Sequence, residues 1–228
     1  MKLKLYIGDK NLSSWSLRPW LVLKKSGLPF EEILIPLDRP ETSKQIKNVS
    51  PTGRVPCLHH EGLAIWDSLT IWDSLAISEY IAEIAAEAQP RIQLWPAGRA
   101  EKATARAYCA EMHSGFSGLR QQLSMDLRLR MEIVHLQQQT IQDIQRVLEL
   151  WEQALQKSQG PNSQGPFLFG KWSIADAFYT PVVFRFQSYG IQIRSERIKI
   201  YMKEVLKDPA VREWEEAAFL EKPVRLEF

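Results

Sequence analysis

Cysteine is nearly absent from this chain: Cys57 and Cys109 are the only two in 228 residues, far apart and outside any C-x-x-C arrangement. That excludes a disulfide framework and a cysteine-based zinc site, and it fits a reducing compartment. Histidine is scarce too. His59, His60, His113 and His135 have no cysteine or carboxylate companions at ligand spacing, so no metal is expected. Long apolar runs are missing; none approaches the roughly 18 residues of a membrane span. The opening stretch Met1 to Lys10 also lacks the apolar segment of a signal peptide. A cytoplasmic protein without a membrane partner is expected. Nor is charge of one sign in excess: Lys+Arg 29 stand against Asp+Glu 27, and residues 1–86 hold ten of each. With no basic arm or patch, nucleic acid is not an expected partner.

What is present is an ordinary globular composition, 45% hydrophobic and 10% aromatic, in a length that admits one or two cores. Leu3, Leu5 and Ile7 alternate with Lys2, Lys4 and Tyr6, the period of a half-buried strand over Lys2 to Gly8. A helix follows, closed by Lys24-Lys25-Ser26-Gly27; Pro19 cannot lie deep inside it, so it is expected to start close to Ser16. Phe30 to Leu37 reads as a second strand, Pro40 to Asn48 as a short polar helix or loop, and Val55 to His59 as a third strand. A further strand and a helix precede Ala88. A strand-helix-strand start implies parallel pairing.

From Gly98 the pattern becomes helical, with helices expected over Ala103–Leu129, Glu132–Gln156, Ser173–Gly190 and Tyr201–Glu215. The expected organisation is an α/β domain over 1–86, a proline-bounded linker over 87–97 and an all-helical domain over 98–228.

Four segments carry candidate chemistry. Ser13-Ser14-Trp15-Ser16-Leu17-Arg18 lies between the first strand and first helix, where α/β folds place ligands. One serine suffices to cap a helix; three with an arginine suggest more. In Gly53-Arg54-Val55-Pro56, a proline opening a β run fits either a cis Val55–Pro56 bond or a trans proline after a turn. A cis bond would leave the Val55 main chain free to pair with an extended peptide.

Ile65-Trp66-Asp67-Ser68-Leu69-Thr70 is followed at once by Ile71-Trp72-Asp73-Ser74-Leu75-Ala76, a tandem repeat of six. Ile77, Tyr80, Ile81, Ile84 and Ala88 form a helical stripe that starts after the second copy, which favours Ser74 over Ser68 as the cap. Ser173-Ile174-Ala175-Asp176 is a capping box, with Trp172 and Ala177 at staple positions, and is structural.

Together, in this order, the segments resemble the cytosolic glutathione transferase family over essentially the whole chain. Ser13 to Arg18 looks like the serine-type motif S-S-x-S-x-R of its zeta class, although that class has cysteine where this chain has Trp15. The resemblance implies a thioredoxin-like domain followed by an all-α domain, a homodimer, and glutathione as co-substrate with no metal. It implies that Asp73 and Ser74, or Asp67 and Ser68 in the other copy, hold the γ-glutamyl group. Val55 and Pro56 would hold the cysteinyl part, and Arg54, Arg39 or Lys44 the glycyl carboxylate. Ser13 or Ser14 would donate to the sulfur, with Tyr6 as rival donor.

A small apolar electrophile would lie against Tyr108, Met112, His113 and Phe116, which recur at helical spacing and otherwise read as core. Either thiol transfer or isomerisation would follow; the alternative is a non-catalytic binding or interaction module of the same fold. A serine suffices for the chemistry. Lowering a thiol pKa from about 8.5 by two units requires about 2.7 kcal/mol. A hydrogen bond to the charged sulfur contributes about 1.5–3 kcal/mol and a helix N-terminus about 0.3–1.

Overall fold

A computed structural model of the protein describes residues 2–66, 74–158 and 164–222. Strand β1 (Leu3–Ile7) buries Leu3, Leu5 and Ile7, as the alternation requires. Helix α1 runs over Ser14–Ser26 and ends on Gly27, whose φ of 68° is left-handed and suits glycine. The helix starts earlier than Pro19 suggested, and the proline lies inside it. An internal proline costs about 3 kcal/mol. Leu17, Trp20, Leu21, Val22 and Leu23 are all buried at 1% exposure or less, and each such side chain contributes about 1.5–3 kcal/mol, so burial outweighs the break.

β2 (Phe30–Leu34) is shorter than expected because Pro36 has no N–H and the Leu37 N–H turns to the Asp9 carboxylate, 2.7 Å away. α2 (Thr42–Lys47) follows. β3 (Cys57–His60) begins after Pro56, not at Val55, for the same want of a donor. β4 (Leu63–Ile65) and α3 (Leu75–Ala88) complete the unit. The sheet order is β2-β1-β3-β4, with β1 parallel to β2 and the other pairs antiparallel.

The rest of the described chain is helical: α4 (Arg99–Ser114), α5 (Ser117–Gln122), α6 (Gln138–Ser158), α7 (Ile174–Ser188), α8 (Glu196–Lys207) and α9 (Pro209–Leu220). The fold is thus the expected α/β part followed by an all-α part, but two expected helices are divided. Ala103–Leu129 breaks at Gly115-Phe116, where Phe116 has φ 59° and a Cβ on Gly115 would stand 2.8 Å from the Glu111 carbonyl oxygen. Tyr201–Glu215 breaks at Asp208-Pro209. The helix expected from Glu132 begins instead at Gln138.

α7 has fourteen of its fifteen residues buried and lies at the centre of one core that runs from Leu3 to Ala218. α1 packs directly on α7, so the segment bearing the serines rests on the innermost helix of the other half.

Asp208 ties that arrangement together. Its Oδ1 accepts from the Ala210 N–H at 3.0 Å, capping α9, and its Oδ2 pairs with Lys25 at the end of α1. Asp208→Ala is expected to cost about 1–2 kcal/mol, mostly the lost cap. Urea denaturation checks this; a loss below a few tenths would mean the cap is idle.

Candidate active site

The strand register brings the candidate segments to one end of the sheet. Tyr6 stands opposite Cys57, so the chain leaving β1 toward Ser13 and the chain entering β3 through Val55 and Pro56 lie side by side. Leu58 stands opposite Ile65, so β4 also leaves at that end. Asp67, Ser68 and Asp73 lie outside the described residues.

Ser13 is the N-cap of α1. Its Oγ accepts from the Ser16 N–H at 3.3 Å and donates to the Ser16 Oγ at 2.8 Å, while that Oγ also accepts from the Gly8 N–H at 3.0 Å. Ser13 therefore locks the turn into the helix, and its only hydrogen is committed. Ser14, the first helical residue and 5% exposed, is placed differently: its Oγ accepts from Nη2 of Arg185 at 3.2 Å. The loop before them is held from the far end of the chain. The Glu221 carboxylate accepts from the Lys10 and Asn11 N–H groups at 2.6 and 3.0 Å, and the Trp214 indole donates to the Lys10 carbonyl at 2.9 Å.

The Val55–Pro56 bond is cis. Val55 is buried, and its main chain has no hydrogen-bond partner among the described residues. Arg54 beside it is exposed. Ser74 occupies the N-cap position of α3, as favoured, but its side chain makes no cap bond; the Oγ is buried without a partner among the described residues. Tyr6 is on the opposite face of β1 from Leu5 and Ile7. Its ring meets His59 at 4.8 Å and packs with Ile35, Ile46 and Val55. Both cysteines are buried, and burial pushes the Cys57 thiol up to about 11, away from redox use.

Behind Ser14 stands a wall contributed by both halves. The Trp15 ring meets His113 edge-on at 5.6 Å, and the Arg18 guanidinium lies between Trp15 (4.3 Å) and Phe178 (5.0 Å). Arg120 covers the Trp15 ring at 5.3 Å and donates to the carbonyls of His113 and Gly115. Arg18 and Arg185 are both held down to about 9, by burial first and then by neighbouring arginines, so both remain cationic at neutral pH. Neither they nor Arg120 pairs with a carboxylate among the described residues.

Of the residues expected to meet an electrophile, His113 joins this wall, while Met112 and Phe116 are buried in the core. Tyr108 does not join them. Five residues turn a helix by about 140°, and Tyr108 lines a separate cavity of about 630 Å³ with Trp95, Phe169 and Trp172.

Arg120 and Arg185 were not anticipated from sequence. A usable signal existed for Arg185: it is the lone cation of α7, set between Phe184 and Phe186, and such residues are seldom buried without purpose.

A family model described as the glutathione S-transferase N-terminal domain matches residues 12–84, and one described as the glutathione S-transferase C-terminal domain matches 134–217. No curated protein matches the chain. Among solved structures, the chain is similar to a glutathione transferase homolog from Burkholderia GL BGR1 with bound glutathione, at 24% identity and a TM-score of 0.66, covering 96% of this chain and 99% of that one. It is also similar to Ure2p in complex with S-p-nitrobenzylglutathione, at 21% identity and TM-score 0.71, covering 94% of each chain. A third is a glutathione S-transferase from the Antarctic clam Laternula elliptica, at 19% identity and TM-score 0.70, covering 97% of this chain and 96% of that one.

Proposed function

The chain belongs to the glutathione S-transferase family, and from that premise we propose that it binds glutathione, ionises its thiol and transfers it to a small electrophile. The observation that supports this reading is the placement side by side, at one end of the sheet, of the chain leading into the helix N-terminus that bears Ser14 and the unpaired Val55 main chain, together with the buried Ser74 hydroxyl, unpartnered among the described residues, at the start of α3. The first suits a sulfur anion, the second an extended peptide, the third a γ-glutamyl group together with Asp73. Arg54, with Arg39 and Lys44 as alternatives, would meet the glycyl carboxylate.

Ser14 donates to the sulfur and keeps its proton; the thiol proton leaves to solvent. The sulfur lone pair then forms the C–S bond while a leaving group such as halide departs with its electron pair. The electrophile lies against Trp15 and His113. Trp15, in place of the zeta-class cysteine, favours conjugation over that class's isomerisation. A cytoplasmic homodimer is the expected state.

Titration calorimetry with glutathione, followed by conjugation of an aryl halide, tests the proposal. Binding at millimolar concentration or tighter, with turnover, is expected. No heat at millimolar glutathione would leave a non-catalytic module of the same fold, and binding without turnover would do the same for catalysis alone.

A further inference from the structure

Arg185 is 4% exposed near the end of α7. Its Nε donates to the Leu123 carbonyl at 2.8 Å and its Nη2 to Ser14 Oγ at 3.2 Å. A guanidinium has only donors, so Ser14 must accept in this contact. The single hydroxyl hydrogen of Ser14 is therefore turned away from α7, and no described residue takes it.

We propose that Arg185 is a positioning residue for thiol activation: it fixes the Ser14 rotor so that the hydroxyl hydrogen faces the glutathione sulfur, and it polarises that O–H. The proposal rests on the glutathione reading above and extends it to a residue of the all-α half. It also explains why the site needs both halves of the chain, since a serine at the N-terminus of α1 alone is free to turn its hydrogen elsewhere.

The other charged groups around Ser14 do not substitute for Arg185. Arg18, on α1, is stacked between rings and makes no hydrogen bond to a described residue. Arg120, from α5, is engaged by the His113 and Gly115 carbonyls, and His113, from α4, faces Trp15. On the loop side, Asp9 is held by the Leu37 N–H, Asp126 by Asn11, and Glu221 by Lys10 and Asn11. Asp143 holds the Leu119 N–H behind Arg120. Each has its own partner, which leaves Arg185 as the cation bonded to the serine.

The test is the pKa of enzyme-bound glutathione, read from thiolate absorbance of the binary complex and from the acid limb of the turnover profile. Arg185→Met is expected to raise it by about one unit, tenfold less thiolate at a pH below both values. Binding of glutathione should change little. Arg185→Lys, which keeps the charge on a shorter reach, is expected to restore part of the shift and remains informative should the Met variant not fold.

In a Ser14→Ala background the Arg185→Met shift should shrink to less than half, because the arginine acts through the hydroxyl. An unchanged thiol pKa in the single variants, or an equal shift in both backgrounds, overturns the inference with the glutathione reading intact. A wild type that does not bind glutathione overturns both.

Discussion

Ser14→Ala is expected to lower kcat/KM for conjugation at neutral pH by about 10- to 100-fold, the equivalent of one hydrogen bond to a charged acceptor, with glutathione binding largely kept. Ser13→Ala should do something else. Ser13 donates to Ser16 and accepts from the Ser16 N–H, so its removal strips the cap of α1 and leaves the Ser16 hydroxyl with one partner fewer. That is a stability effect of about 0.5–2 kcal/mol, with a smaller loss of rate.

Kinetics and thermal unfolding on both variants separate the two roles. The assignment fails if Ser13→Ala abolishes turnover while Ser14→Ala retains it, or if Tyr6→Phe does more harm than either. The Tyr6 ring packs against His59 on the face of β1 that carries Ile35, Ile46 and Val55, so its substitution should be close to silent in turnover.

The elements that sequence periodicity specified well are those in which one local rule decides. β1 alternates Leu3, Leu5 and Ile7 with Lys4 and Tyr6, and it folds as a strand with that apolar face buried. The end of α1 is set by Gly27, and the start of α7 by the Ser173 and Asp176 box, which forms with both of its bonds. Periodicity misled where a break is made by backbone geometry and not by polarity. Leu119, Leu123 and Leu127 continue the spacing of Met112 and Phe116 as if one helix ran through, yet Gly115 and the left-handed Phe116 make the turn between α4 and α5. The same holds for Lys207-Asp208-Pro209, where an N-cap and a proline at the first helical position announce a new helix.

At the site, Ser13, Ser14, Val55 and Pro56 were visible because turn and capping chemistry is local. Arg185 was not, because its partner is 171 positions away, and only packing α1 on α7 brings them together. The roles of the two serines were likewise beyond reach from sequence: they are adjacent and identical, and they differ only in which hydroxyl already has an acceptor.

The largest loss of stability is expected from Asp176→Ala. Asp176 is fully buried, and its carboxylate accepts from the Leu168 N–H at 3.1 Å, the Ser173 N–H at 2.8 Å and the Ser173 hydroxyl at 3.0 Å. Removing it orphans two main-chain donors in the core at the start of α7, against which α1 and α4 both pack. The expected cost is about 3–5 kcal/mol, which for a chain of this size lowers the melting temperature by roughly 10 °C.

The pH dependence identifies the cause. Burial pushes the Asp176 carboxyl up from 3.8 to about 6, against the opposing pull of its hydrogen bonds. The native state therefore holds the proton more tightly than the unfolded chain does. This contribution to stability is complete below about pH 4 and is lost as pH rises through 6, the reverse of a salt-bridged carboxylate. The difference between wild type and Asp176→Ala should thus widen by about 1 kcal/mol between pH 7 and pH 5. If it narrows instead, the three hydrogen bonds outweigh desolvation and the carboxylate is ionised throughout.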